Sequence, residues 1–507
     1  MTFFFKNYYR FLILFFLILT TLSASGCFSS SGEPSKEWTV MVYLDGDDSA
    51  LENNAIIDFN EMEKGLSDAI TNGNRQFVDT INIIVMVDRF GGAGGTSAVT
   101  EINGSDWSDT RLYRVKPDTD MNHFNSERLD DGSSAYSNHV PEYGEKNMGD
   151  PSTLSDFIDF SKENFPANHY ALILWNHGGA AQKKSAIEPI SKITKSICWD
   201  ADNNNDTLYL DELQQALEEN FDETDRLDII GFDACLMATV EIAYELKSST
   251  DFMVASMNYI QANGWSYDRI FGDIKETSVS PLFFSTHMAQ TYKAYIDSTP
   301  INQNYGESIS VTDISQVDNL VGKINSLGVA IAAENNQSDI EILREASYNY
   351  YDIDASSASN LDSVAYPYYD IYDLCNRTNT NESFSINLRD AALEVITAMT
   401  TTIVYSYGDI NLPENTGQSQ SAYSGINNSK GLSIFFSRGD MTYNSLPHYN
   451  YQWWYTNEDT ATELNDSSKL YGHIDFCFSN ADGNVDGWRE LMEYWYDNPD
   501  SATPSSY

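Results

Sequence analysis

Basic residues are scarce in this chain of 507 residues. Its 29 lysines and arginines face 75 aspartates and glutamates, a formal charge of −46. A surface so acidic repels phosphate backbones and anionic headgroups, which sets nucleic acid aside as a partner. Cysteine is scarce too, five in all, and no two form a CxxC pair. That excludes a zinc ribbon and a thioredoxin motif, and a disulfide framework does not suit so long a chain with so few cysteines. Among seven histidines there is no HExxH, so a zincin is excluded. No GxSxG occurs, which removes the serine-hydrolase elbow. Gly91, Gly92, Gly94 and Gly95 follow a strand-like run, but no helical pattern follows them. A dinucleotide or phosphate loop is therefore not indicated.

What is present begins with a leader. Lys6 and Arg10 precede an apolar run, Phe11 to Leu19, of signal-peptide length. Ala24-Ser25-Gly26 then leads to Cys27, which resembles a lipoprotein signal with an acylated cysteine. Residues 1–27 are read as that signal, with simple cleavage after Gly26 as the alternative, and 28–36 as a polar tether. One acyl chain holds a membrane only weakly, so anchoring calls for a diacylated Cys27. The protein is expected outside the cell or at its surface.

The remaining chain, 41% hydrophobic overall, can fill a large core. Val40 to Leu44, Ile81 to Val87, Ala171 to Trp175, Leu227 to Phe232 and Phe252 to Ser256 are short, nearly continuous apolar runs. Such runs suit a parallel sheet covered on both faces. Helical patterns separate them at Leu51 to Leu66, Leu154 to Asn164, Leu210 to Asn220 and Leu236 to Lys247. The alternation predicts an α/β domain over 37–280. Gly91 to Glu145, polar and glycine-rich, reads as loops or a small excursion. Over 281–507 the pattern loosens, with helices at Leu320 to Ala333, Leu388 to Tyr405 and Trp488 to Tyr496, and a buried strand at Gly431 to Phe436. This region either completes the first domain or packs on it.

His177 follows the run ALILWN and precedes Gly178-Gly179; Cys235 follows the strand run LDIIGF and opens an apolar helical pattern. In a parallel sheet both sit at the carboxyl edge, where open α/β folds bind ligands. A thiolate is the reactive form of cysteine, and a helix N-terminus after Cys235 would favour it. An imidazole can pass the proton that a leaving amine needs. The amides of Gly178 and Cys235 are candidates for an oxyanion hole. Each residue alone has a plainer reading, a small buried cysteine and a loop histidine. Together, at two strand ends beside glycine, they point to nucleophilic catalysis.

The segments WTVMVYLDGDDSALENNAIIDFNEME, LILWNHGGA, GFDACLMATVEIAYEL and ASMNYIQANGWSYDRIF resemble clostripain-family peptidases, with YYDIYDL and GLSIFF similar to later family blocks. The resemblance runs from residue 37 to about 495. It implies a caspase-like α/β/α sandwich with a mostly parallel sheet and an additional C-terminal region. It implies a cysteine endopeptidase with His177 and Cys235 as its dyad, needing no cofactor for the chemistry, and acting on peptides or proteins. It also implies cleavage after Arg or Lys through an acidic pocket. Asp233 matches a pocket position, with a helix N-cap as its other reading. The pocket loop departs from the pattern: Met257-Asn258 and Asn263 stand where relatives carry acids. Alternatives are a peptidase with neutral P1 preference and a catalytically idle surface lipoprotein that binds peptides.

Lys183, Lys184, Lys192 and Lys195 cluster between the dyad residues. They read either as a solvated basic loop or, as in relatives, as a segment the enzyme cuts itself, with Lys184, Lys192 and Lys195 as candidate sites. Asp200, Asp202, Asn204, Asp206 and Asp211 form an oxygen-rich run resembling a calcium loop, though Asn205 stands where glycine is usual. A polar turn is the other reading. Asn480, Asp482, Asn484 and Asp486 form a weaker second run.

Overall fold

The run WTVMVYL is apolar or aromatic at nearly every position, and the structure buries both of its faces. The structure is a computed structural model that describes residues 36–91, 107–131, 144–181, 197–298, 307–334, 368–408 and 430–436, with isolated positions at 339–350 and 476–491. Cys27, the lysines at 183–195, Cys477 and residues 480–484 lie outside the described residues. In chain order the strands are β1 Lys36–Gly46, β2 Ile81–Arg89, β3 Arg111–Arg114, β4 Glu127–Arg128, β5 Ala167–Trp175, β6 Ile197–Asp200, β7 Asp206–Leu208 and β8 Leu227–Asp233. They continue with β9 Thr250–Ala255, β10 Ser308–Asp313, β11 Asn349–Tyr350, β12 Tyr368–Asp370, β13 Ile403–Gly408 and β14 Ser433–Phe435. The helices are α1 Glu52–Thr71, α2 Arg75–Thr80, α3 Pro151–Asn164, α4 Leu210–Glu218, α5 Val240–Glu245, α6 Tyr267–Gly272, α7 Pro281–Ser298, α8 Val317–Ala332, α9 Ile371–Thr380 and α10 Ile386–Thr402.

Nine strands form one sheet in the order β13-β10-β9-β8-β5-β1-β2-β3-β4. The five central strands, β2, β1, β5, β8 and β9, run parallel to one another. Antiparallel β10 and β3 flank them. Alternate residues build two cores, as a strand's two-residue period requires. Met41, Tyr43, Leu172, Leu174, Ile230 and Phe232 face the layer of α3, α4, α5, α8, α9 and α10. Val40, Val42, Ala171, Ile173, Ile229 and Val254 face α1, α6 and α7. This is an α/β/α sandwich with a mostly parallel sheet.

The region after residue 280 contributes β10 and β13 to that same sheet and supplies helices to both of its faces. The described residues from Lys36 onward form one compact unit. Residues 91–145 contain the short strands β3 and β4, a small excursion at the sheet's edge. Two elements differ from the sequence reading. The pattern from Leu388 ends as helix at Thr402 and continues as β13, whose β-branched start, Ile403-Val404, favours a strand. The helix expected from Leu236 begins only at Val240. Leu236 has a left-handed φ of 64°, and Thr239 caps α5 by accepting from the Ile242 N–H. Among the described residues no helix is long and apolar enough to cross a membrane.

Candidate active site

Strand β1 has β2 on one side and β5 on the other, so the chain reverses its direction of winding there. Ligands in open α/β sheets bind outside the carboxyl ends of strands at such a switch. Three loops meet at this place: Asp47-Asp48 after β1, Asn176-His177-Gly178 after β5 and Ala234-Cys235 after β8.

His177 is held from two directions. Its Nε2 lies 2.7 Å from Asp48 Oδ2, and Asp48 is buried while His177 keeps about 30% of its side chain exposed. Asp48 has its own support, since Oδ1 accepts from the Ala50 N–H at 2.7 Å in the turn that opens α1. Asn176 fixes the loop: Nδ2 donates to the Asp45 carbonyl at 2.8 Å, and Oδ1 accepts from the amides of His177 and Trp199. The Trp199 ring sits edge-on to the imidazole, 6.0 Å between centroids. The sequence reading missed Asp48. Its signal was available in the acid run LDGDD at the end of a strand next to the strand of His177.

Gly178 brings the second loop in. A β-carbon there would overlap the Cys235 carbonyl oxygen and lie 3.0 Å from the Cys235 nitrogen. Only glycine lets the two backbones approach this closely. The candidate oxyanion amides, Gly178 and Cys235, thus share one corner. Cys235 is half-buried, with its Sγ 3.3 Å from the Ile260 N–H that points to it. That donor suits negative charge on sulfur. The predicted helix N-terminus does not serve this purpose, because α5 starts five residues later and is only six residues long. The other described cysteines are different: Cys198 and Cys375 are buried, and burial pushes both thiols up. The other described histidines lie elsewhere. His169, near the amino end of β5, pairs with Asp228 at 2.9 Å, His123 pairs with Asp120, and His287 stacks on Phe283.

Asp233 is not an N-cap. It is buried, and its Oδ2 accepts from the Trp265 N–H at 2.9 Å and the Tyr267 hydroxyl at 3.1 Å. A second acid that the sequence reading did not single out stands beside it. Asp58 of α1, also buried, accepts from Trp175 Nε1 at 2.7 Å. The two carboxylates converge on Gly264, where a β-carbon would lie 2.7 Å from Asp233 Oδ2 and 3.0 Å from Asp58 Oδ2. Burial raises Asp233 to about 7, and Asp58 is driven up by burial and by the Asp233 charge. Oδ1 of each is buried without a hydrogen-bond partner. Asn263 lies exposed on the rim, bonded to Asn54 and to the Tyr295 hydroxyl. Asn54 lies one turn before Asp58 on α1, so one helix face borders the whole loop.

The oxygen-rich run folds as a hairpin turn between β6 and β7, with Asn204 and Asn205 in left-handed conformation. Asp202 Oδ2 accepts from the Gly91 N–H, and Asp206 from Asn147 and its neighbour's amide. Asp211 lies in the first turn of α4. Asp200 alone joins other acids: it groups with Asp47, Asp88 and Glu145, one ligand oxygen from each lying within 4.8 Å of all the others.

Comparison with known proteins agrees with this architecture. The model of the clostripain family matches residues 42–495. Clostripain of Hathewaya histolytica is 32% identical over 521 residues, covering 94% of this chain and 90% of the relative. Among solved structures, a secreted C11 cysteine protease from Bacteroides thetaiotaomicron, in complex with an irreversible peptide inhibitor, superposes with a TM-score of 0.52 at 18% identity. It covers 82% of this chain and 98% of its own. An inactive zymogen C11 protease from Parabacteroides distasonis gives 0.52 at 18% identity, with 88% and 98% covered. At that identity the solved structures speak for the fold, which is the caspase-like α/β fold, while the family model and the relative cover nearly the whole chain: it belongs to the clostripain family.

Proposed function

We propose that this clostripain-family cysteine endopeptidase cleaves peptide bonds after arginine or lysine, through a thioester on Cys235 with His177 as acid and base. The observation that carries the reading is the meeting of three strand-end loops, with His177 Nε2 2.7 Å from Asp48 and the Gly178 backbone against that of Cys235. With Nε2 held by Asp48, Nδ1 remains for proton transfer. The imidazole takes the Cys235 thiol proton, the sulfur attacks the substrate carbonyl, the amides of Gly178 and Cys235 receive the developing oxyanion, and as the C–N bond breaks the imidazolium gives that proton to the leaving amine. Water then attacks the acyl-enzyme, the imidazole taking its proton, and the C–S bond breaks to release the acid and return the proton to the Cys235 sulfur. No cofactor enters these steps.

Two buried carboxylates side by side favour a cation, since leaving both charged and unpaired costs several kcal/mol, roughly. Asp233 and Asp58 supply the acid that Asn263 does not. A panel of fluorogenic peptides with Arg, Lys, Asn, Asp and Leu at P1 tests this. Arg and Lys are expected to exceed Leu in kcat/KM by about 100-fold or more, and Asp58→Asn or Asp233→Asn to cut that ratio about tenfold or more. A flat panel points to the neutral P1 preference. No turnover on any member, with iodoacetamide failing to label Cys235, points to the idle peptide-binding lipoprotein.

Export and acylation of Cys27 complete the reading; labelled fatty acid incorporated by the wild type and lost in Cys27→Ala is the check. The lysine-rich segment, with Lys184, Lys192 and Lys195, is the proposed site of self-cleavage. A Cys235→Ala protein that is still cut there when other proteases are removed contradicts it.

A further inference from the structure

The turn that carries Cys235 is not part of a helix, since α5 begins only at Val240. The loop after β9 holds it instead. The Leu236 N–H donates to the Asn258 carbonyl at 3.1 Å, and the Ala238 N–H to the Ser256 carbonyl at 2.9 Å. Two residues past Asn258, the Ile260 N–H points at Cys235 Sγ from 3.3 Å. Residues 256–260 therefore fix two things at once: the left-handed turn at Leu236 and the amide that faces the sulfur.

Two fully buried hydroxyls fix residues 256–260 in turn. Ser256 follows β9, and Ser308 opens β10 in the region after residue 280; their oxygens lie 2.9 Å apart. Ser308 Oγ accepts from the amides of Met257 and Asn258, each at 3.2 Å. Ser256 Oγ accepts from the Asn258 N–H at 3.1 Å and donates to the Asn258 carbonyl at 2.9 Å. A hydroxyl has one proton to donate. Ser256 gives its proton to Asn258, so the bond between the serines runs from Ser308 to Ser256. The result is a directed chain. The Ser308 O–H reaches Ser256, the Ser256 O–H reaches the Asn258 carbonyl, and that same carbonyl takes the Leu236 N–H beside the nucleophile.

We infer that Ser308 and Ser256 are positioning residues for the cleavage reaction: their hydroxyl chain tunes the reactivity of Cys235 by holding the Leu236 turn and the Ile260 amide in place. The inference rests on Cys235 being the nucleophile. An N–H aimed at sulfur favours the thiolate, and it does so best when its direction is fixed before the reaction starts. Removing the Ser308 hydroxyl takes an acceptor from two buried amides, and the loop must then shift to satisfy them. Removing the Ser256 hydroxyl leaves those amides their Ser308 acceptor but cuts the link to the Asn258 carbonyl.

Ser310 provides the contrast. It lies two residues further along β10 and is as fully buried. Its hydroxyl stands 2.6 Å from the Gly431 carbonyl and 3.4 Å from that of Ala255, so its bonds go to other residues than 256–260. Its loss costs the fold a buried hydrogen bond without touching the turn at Cys235.

The experiment uses the full chain as wild type, Ser308→Ala, Ser256→Ala and Ser310→Ala. Alkylation of Cys235 by iodoacetamide is followed across pH by mass spectrometry of the labelled peptide, with kcat on an Arg-P1 peptide and Tm measured alongside. In Ser308→Ala and Ser256→Ala the alkylation midpoint is expected to move up by about half a pH unit or more, and kcat to fall about tenfold or more. Ser310→Ala is expected to lower Tm while leaving the midpoint in place and kcat within about twofold of wild type. Should Ser308→Ala not fold, Ser256→Ala carries the comparison. A midpoint and kcat unchanged in the folded variants mean that the hydroxyls only support the fold, and overturn the inference. Equal shifts in Ser310→Ala mean general loosening, and overturn it too. Wild-type Cys235 that reacts no faster than a free thiol below pH 7 is a different failure: it contradicts the nucleophile itself, and the inference falls with it.

Discussion

A single carboxylate, Asp48, holds the imidazole of His177. Its two oxygens do different things: Oδ1 closes the turn into α1, and Oδ2 takes the imidazole. Asp48→Asn keeps an acceptor for the Ala50 N–H and removes the charge that balances an imidazolium during proton transfer. Steady-state kinetics on an Arg-P1 peptide should show kcat lowered about 100-fold or more, with KM nearly unchanged and Tm close to wild type. A rise in KM with kcat preserved would mean that Asp48 serves the loop and not the imidazole. Asp48 was readable in part, since LDGDD is an acid run at a strand end. What hid it is that its partner is 129 residues away. Nothing local says which of Asp45, Asp47 and Asp48 turns toward β5.

The elements separate into those whose information is local and those whose information is not. The runs that became β1, β2, β5, β8 and β9 are apolar over their whole length, because both faces of each strand are covered, and so they stand out in sequence. Strand β10, SISVTD, is equally buried but reads as polar, since Ser308, Ser310 and Thr312 find hydrogen-bond partners or cover only after the fold closes. The segment after Cys235 fails for a related reason. Its residues have helical periodicity, yet the left-handed Leu236 and the bonds of Ala238 with Ser256 and Ser433 hold it open. Tertiary contacts override propensity there. The candidate dyad stood out in sequence because a histidine and a cysteine each sat at a strand end beside a glycine or a tight turn. Asp58, the buried acid beside Asp233, did not stand out, because it lies within α1 and nears Asp233 only at Gly264 once the chain is folded.

Over the whole molecule, acids are buried as well as exposed. Glu61, Glu63 and Asp233 are each raised to about 7, burial being the largest cause in every case. Folded-state values above those of the unfolded chain mean that the native protein holds protons the unfolded one has released. Their contribution to stability is therefore present in full below about pH 4 and lost as pH rises toward 7. Repulsion within a chain of formal charge −46 acts in the same direction. Calorimetry in chelator should find Tm falling by several degrees between pH 5 and pH 7, then levelling. A Tm that rises over that interval would show these acids ionised and paired in the native state.

The claim at the centre is that Cys235 is the nucleophile and His177 its partner. The most direct measurement is mass spectrometry of the protein treated with an Arg-bearing peptidyl chloromethyl ketone. One adduct on Cys235 is expected, formed at least about 100-fold more slowly in His177→Ala and absent from Cys198 and Cys375. Peptide hydrolysis that continues in Cys235→Ala, or an adduct formed at an undiminished rate without His177, would contradict it.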